Sequence, residues 1–257
     1  MTEHPAWWPT PEGPARVFRT TAGDQTVRVG LDGRRLAGTA EGPVPDTFAV
    51  AAPCPAPLAE LVGSLSALGP VTRYRNLDLW DALATAIVRQ VIRAGQSKRL
   101  YRAFADGFGE RADAGAGRSL ALFPGPDRVL ELSDDAFASY GMAFKRRPLR
   151  HAALAYQADG EGWQSLPARD LVETLQSVPG IGPWTASAAV ADYTNDWTVY
   201  PHGDLAVRTW ARRAAPGTPW PDNDADFASQ WRRCAGPQLS ALTVLVLAWG
   251  SRRGDIG

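Results

Sequence analysis

The sequence predicts a mainly α protein with a small α+β portion at its N-terminus, and three observations carry that expectation. From Asp78 onward, apolar residues recur at helical spacing; Leu79, Leu83, Ile87 and Val91 are four apart and mark one buried stripe. Before Ala40, short alternating runs at 17–21, 26–31 and 34–39 are punctuated by Gly23-Asp24 and Asp32-Gly33, the signature of tight β-turns. Between Leu171 and Ala191, two helical patterns are joined by a bend rich in Pro and Gly. The expected division is a small subdomain over 1–72 and a helical domain over 73–257.

In the first part, Glu41-Gly42-Pro43-Val44-Pro45 breaks the strand pattern, 47–51 reads as a further strand, and Pro57 opens a helix through Leu58, Leu61, Val62, Leu65 and Leu68. Trp7 and Trp8 fit core, lid or an exposed surface position equally. In the second part, the stripe at 79–91 is followed by a helix through Leu100, Tyr101, Phe104 and Phe108, and then by a Gly-rich stretch over 107–117 that reads as a mobile loop. Helices are expected over 127–132, 133–140 and 145–158, the second opened by Ser133 as a cap. After the bend, a loop over 193–203 leads to Asp204, and helices over 205–213, 227–234 and 239–249 close the core.

Bulk numbers bound the chemistry. The 257 residues suffice for one large or two small domains. Two cysteines, Cys54 and Cys234, cannot supply the four-thiolate cage of an iron–sulfur cluster or structural zinc, and they suit a reducing compartment. The N-terminal residues lack the basic start and apolar core of a signal peptide, and the run 239–249 is too short to span a bilayer. Formal net charge is zero, with 27 basic and 27 acidic residues, so any nucleic-acid face must come from charge distribution. Arg89, Arg93, Lys98, Arg99 and Arg102 form one basic group; Lys145, Arg146, Arg147 and Arg150 form a second.

The bend itself carries the clearest chemistry. Leu171, Val172, Leu175 and Val178 define a helix that must stop at Pro179, which has no amide hydrogen and disfavours helix in the residue before it. Gly180 and Gly182 permit a tight turn, Ile181 plugs it into the core, and Pro183 opens the next helix. Such a turn aims backbone amides, with the positive end of a helix dipole behind them, at one phosphate of a nucleic-acid strand. A plain turn between packed helices is the alternative.

The run Val178-Pro179-Gly180-Ile181-Gly182-Pro183-Trp184-Thr185-Ala186, with Asp204 twenty positions after Trp184, resembles the helix-hairpin-helix DNA glycosylase superfamily, and within it the 3-methyladenine DNA glycosylase II branch. Ile87-Val88-Arg89-Gln90-Val91, Phe123-Pro124 and Gly141-Met142-Ala143-Phe144-Lys145-Arg146 resemble that branch in the same order, so the likeness covers roughly 46–204. It implies a helix-hairpin-helix glycosylase fold, a two-lobed helical core with a small N-terminal α+β subdomain. It also implies a monomer acting on double-stranded DNA with damaged bases in a bacterial cytoplasm, without a membrane.

By the same resemblance Asp204 is the catalytic acid, and Trp184 and Trp249 line a base pocket. Gln90 and Val91 sit where family members fill the gap left by an extruded base, although the stripe equally allows Val91 to be core. Gly180, Ile181, Gly182 and Thr185, with Lys145 and Arg146, are expected on DNA. No cofactor is required; a Na+ or K+ ion on the carbonyls of Gln176, Val178 and Gly180 is implied as structural support.

The residues themselves narrow the reaction. Cleavage of an N-glycosidic bond builds positive charge on the sugar, which a fixed carboxylate stabilises while it orients the attacking water. Asp204 also stands where a helix N-cap belongs, and the two roles are compatible. Trp184 occupies the place of the lysine that bifunctional members use, and an indole cannot form an imine, so no strand cleavage is expected. The chain departs from the pattern at Ala188, where a second aromatic is usual, at Gln238, where arginine is common, and at Trp249, whose spacing is off by about two. Two other readings remain open: a non-catalytic damage sensor, and a glycosylase for bulky or antibiotic-derived adducts.

Overall fold

The computed structural model describes residues 4–20, 23–29, 35–38, 44–52, 56–115 and 117–253. In chain order these form β1 (Ala15–Thr20), β2 (Gly23–Val29), β3 (Arg35–Gly38), β4 (Asp46–Phe48), α1 (Ala59–Ser66), β5 (Val71–Arg73), α2 (Leu79–Arg89), α3 (Ala94–Phe108), β6 (Arg111–Gly115), β7 (Arg118–Ala121), α4 (Pro126–Glu131), α5 (Asp134–Ser139), α6 (Arg146–Trp163), α7 (Ala168–Gln176), α8 (Pro183–Thr194), α9 (Leu205–Ala214), α10 (Asp224–Ala235) and α11 (Leu239–Ser251). The Asp32-Gly33 turn, the break at 41–43 and Cys54 lie outside the described residues.

Contacts group the chain into two units, neither continuous in sequence: Thr2–Val44 with Arg75–Thr194, and Pro45–Tyr74 with Asn195–Gly257. The boundary expected at 72/73 is not the one these contacts draw. The reason lies in packing: β1 and β2 pack against β6, whereas α1, β4 and β5 pack with α9 and α11.

In the hairpin-bearing unit, β1, β2 and β3 form an antiparallel sheet in that order. A buried ionic network fastens it to the helices: Arg16 of β1 pairs with Asp81 of α2 at 3.1 Å, and Asn76 donates to Asp81 at 2.9 Å and to Asp192 of α8 at 3.1 Å. The Tyr101 phenol donates to Asp81 at 2.5 Å, and burial pushes its pKa well up. Asp78 caps α2 by accepting from the amides of Trp80 and Asp81; burial, reinforced by Asp81, raises its carboxyl to about 6. Helix α2 is buried almost all round and lies on α8, whose Ala186, Ala188, Ala189 and Ala191 let the two backbones approach closely. Trp7 proves to be core, edge-on to Phe18, while the Trp8 indole donates to the Ala121 carbonyl at 3.1 Å.

The expected loop over 107–117 is instead the end of α3 and the β6–β7 hairpin. Alternate residues Ala112 and Ala114 of β6 pack on Val17, so small side chains hide a strand pattern that bulkier residues would have announced. A Cβ at Gly109 would lie 1.8 Å from the Leu122 carbonyl oxygen, so glycine is required where the chain enters the hairpin.

In the other unit, α11 packs on α9 and contributes Leu242, Val244, Leu245 and Val246 to the core, all 0–1% exposed. By length and composition the stretch Asp224–Ser251 could cross a membrane. Gly236, at φ +51°, splits it into α10 and α11, and α11's apolar residues are spent on the core. The strand expected over 47–51 is shorter, pairing only Asp46–Phe48 with β5. Gln238 clamps the residues that follow: it accepts from the Ala51 amide at 3.0 Å and donates to the Ala51 carbonyl at 2.9 Å.

Candidate nucleic-acid interface and catalytic acid

The bend between α7 and α8 forms as the residues require. Ile181 is buried, its amide closing the turn on the Val178 carbonyl at 3.0 Å. Gly180 adopts φ +90°, and a Cβ there would press on Pro148 of α6 at 3.2 Å, so this glycine answers both to conformation and to contact. Gly182 has open space around its Cβ position and is exposed, which leaves room for a strand to come close. The His151 Nδ1 lies 3.1 Å from the Pro179 carbonyl, so that nitrogen carries the proton. Amides in the first turn of α8 have no intrahelical acceptor, as a phosphate cradle needs.

Helix α2 ends beside this hairpin, where the sequence pattern was ambiguous. Val91 is not core: it is 101% exposed and stands at φ +61°, which β-branched residues avoid. The stripe breaks because α2 stops at Arg89 and the next two residues form a turn. Gln90 anchors that turn, its Nε2 donating to the Gly180 carbonyl at 3.1 Å and to the Thr185 hydroxyl at 2.9 Å. Gln90, Val91, Gly180 and Thr185 are therefore one constellation.

Lys145 joins it in a way the sequence did not suggest. It is 8% exposed, and its ammonium donates to the Gln90 carbonyl. That corrects the expectation that Lys145 faces DNA. Arg146 is half-buried and, with Arg150, pairs with the exposed Asp134, at 2.5 and 2.8 Å. In the first basic group, Arg102 donates to the Pro5 and Trp7 carbonyls, and the Arg89 guanidinium lies 5.8 Å from the Trp184 ring centroid. Arg93, Arg99 and Arg147 are exposed. Phe144, next to Lys145, is 93% exposed, an apolar surface residue the sequence analysis did not single out.

Asp204 caps α9, its Oδ1 accepting from the Ala206 amide at 2.8 Å, and the residue is half-buried. The loop that delivers it is firmly held. His202 is buried and neutral, its Nε2–H donating to the Trp197 carbonyl at 3.1 Å, and burial lowers its pKa to about 4. Trp197 and Tyr200 pack with tilted rings within this loop at 4.8 Å, and Arg73 lies over the Trp197 ring at 4.8 Å; both aromatics serve packing. A Cβ at Gly203 would meet the Asp224 carbonyl oxygen at 2.9 Å. Trp249 is 7% exposed, edge-on to Trp210, with the Arg253 guanidinium 3.7 Å from its ring centroid. Its ring is thus covered within its own unit, contrary to the expected base-stacking face.

Among solved structures, a 3-methyladenine DNA-glycosylase from Archaeoglobus fulgidus matches with a TM-score of 0.71 at 16% identity, covering 94% of this chain and 88% of that one. An 8-oxoguanine glycosylase/lyase from Clostridium acetobutylicum, solved with double-stranded DNA, gives 0.62 at 15% identity, covering 93% and 88%. The chain has the helix-hairpin-helix DNA glycosylase fold. In sequence, this glycosylase-fold chain is similar to DNA-3-methyladenine glycosylase 2 of Escherichia coli K12, 31% identical over 130 residues that make up 49% of this chain and 45% of the relative. It is also similar to DNA-3-methyladenine glycosylase of Bacillus subtilis 168, 25% identical over 134 residues, 51% of this chain and 44% of the relative. The matches span less than half the length of these curated relatives. No protein-family model matches the chain.

Within the glycosylase fold, the implied monovalent cation finds its carbonyls partly engaged. That of Val178 accepts from Ile181, and that of Gly180 accepts from Gln90. Each of these oxygens keeps a second lone pair, so the hydrogen bonds leave the implied cation an open proposal. Among the described residues, no group of three His, Cys, Asp or Glu side chains gathers to hold a metal.

Proposed function

We propose that the chain is a monofunctional DNA N-glycosylase that extrudes N-alkylated purines from the duplex and hydrolyses their glycosidic bond with Asp204. The observation that carries this reading is Val91. A fully exposed branched side chain at positive φ, tethered through Gln90 to a phosphate-binding hairpin, is costly for a folded protein and useful to one that fills the gap behind a flipped nucleotide. Asp204 supplies a carboxylate at a helix N-terminus, placed to stabilise an oxocarbenium-like sugar. Trp184, half-buried at the start of α8, offers an aromatic face and no amine, so the products are free base and an abasic site.

The test is to incubate methylated duplex with wild type and with Asp204→Asn, measuring released bases by mass spectrometry and abasic sites by alkaline cleavage. Wild type should release alkylpurines without nicking, and Asp204→Asn should bind but lose at least about a hundredfold in release. Strand cleavage without alkali, or equal release by the variant, would overturn the reading.

One observation favours a wider substrate range. The Arg89 guanidinium beside Trp184 places a positive charge where a cationic alkylpurine would stack, and Ala188 leaves the next turn of α8 without a second aromatic. Both features favour neutral or bulky bases, so the same mass-spectrometric screen should include deaminated and bulky-adduct DNA.

A further inference from the structure

The Gln90–Val91 turn poses an energetic problem that its own residues do not solve. Val91 makes no buried contact to offset its backbone conformation, and α2 ends there with carbonyls that lack intrahelical donors. Lys145 addresses both. It belongs to the segment between α5 and α6, fifty-five residues away in sequence, yet its ammonium reaches the Gln90 carbonyl at the negative end of the α2 dipole. Burial lowers its pKa, and among the described residues no carboxylate pairs with it. A buried ammonium whose partner is a carbonyl is expensive to maintain. A surface role would have kept it in water.

We propose that Lys145 is a positioning residue: it locks the carbonyl of Gln90 so that the following residue is held at positive φ with its side chain projecting into the duplex. The Gln90 side chain fixes the turn to the hairpin through Gly180 and Thr185, while Lys145 fixes its main chain from the opposite part of the sequence. The phosphate cradle and the projecting valine are thereby held in one register. This rests on the proposed base-extruding role of Val91 and adds the group that maintains it.

The test is a double-mutant cycle read by stopped-flow fluorescence of 2-aminopurine placed beside a tetrahydrofuran abasic site in a duplex. That probe needs no excision and so reports insertion independently of substrate choice. Wild type should raise the fluorescence, and Val91→Ala should abolish most of the rise. Lys145→Met should slow it about tenfold, Lys145→Arg should recover most of that loss, and adding Val91→Ala to Lys145→Met should cost little more. If Lys145→Met does not fold, Lys145→Gln, which retains a neutral donor, carries the same comparison.

Additive losses with a shallower salt dependence would mean a direct phosphate contact and would overturn the proposal, as would a Lys145→Met rise equal to wild type. Both results leave the glycosylase reading intact if wild type still releases base. A wild type that neither releases base nor raises the fluorescence would sink that reading, and the role of Lys145 with it.

Discussion

Replacing Val91 with glycine should make the protein more stable and less able to open DNA. The side chain is fully exposed, so its removal forfeits no buried area, and φ +61° is a conformation glycine adopts freely. Strain of this kind costs about 1–3 kcal/mol. Against that stands about 0.4–1 kcal/mol for the greater freedom of glycine in the unfolded chain. The balance is a gain of roughly 1 kcal/mol, measurable by urea unfolding at neutral pH. On a duplex with 2-aminopurine beside an abasic site, the same variant should lose most of the fluorescence rise. The opposite signs are the point, because a surface residue without a task would move stability alone. A destabilised Val91→Gly, or one that opens the duplex as well as wild type, would refute the argument that strain is kept here for function.

Three further outcomes follow from the geometry. His202 stays neutral in the fold down to about pH 4, whereas the unfolded chain takes up its proton near 6.5, so stability is lost as pH falls through that window, by up to about 3 kcal/mol; His202→Gln should flatten the urea-monitored slope between pH 7 and 4.5, and an unchanged slope would count against it. Arg89→Ala removes the cation beside Trp184 and should raise the kcat/KM ratio of cationic to neutral bases about fivefold, the equivalent of ~1 kcal/mol; an unaltered ratio would separate Arg89 from specificity. Because Lys145 and Arg146 are occupied within the protein, affinity for duplex should fall with salt at a log–log slope of about −2 to −4, corresponding to only a few neutralised phosphates; a slope near −8 would show that many more basic side chains reach the strand.

The parts of the fold legible in the sequence are those whose signals are local. Pro179, Gly180 and Pro183 stop one helix and start another, Ser133 and Asp204 cap where capping residues should, and the structure follows them. One ambiguity and one misreading share a cause: Val91 continued an apolar period and so fitted core as well as wedge, while alanines in β6 gave no period at all and concealed a hairpin. Partners distant in sequence were invisible for a different reason. A lysine next to an arginine reads as surface charge until the fold brings a carbonyl to one and Asp134 to the other.

That last point bears on how a chain of zero net charge would meet DNA under the proposed function. Counting basic residues overestimates those facing a strand, since Arg146 and Arg150 share the counter-charge of Asp134, and Lys145 and Arg102 turn donors to carbonyls of the protein. What they purchase is geometry: Arg102 holds the N-terminal segment, and Lys145 holds the turn that presents Val91. On the proposed reading, recognition would lean on fixed backbone amides at the hairpin and on a preset side chain, which act at contact distance. Under the proposed function, long-range attraction would contribute less, and damage would be found by testing how easily a base leaves the stack more than by gripping the strand tightly.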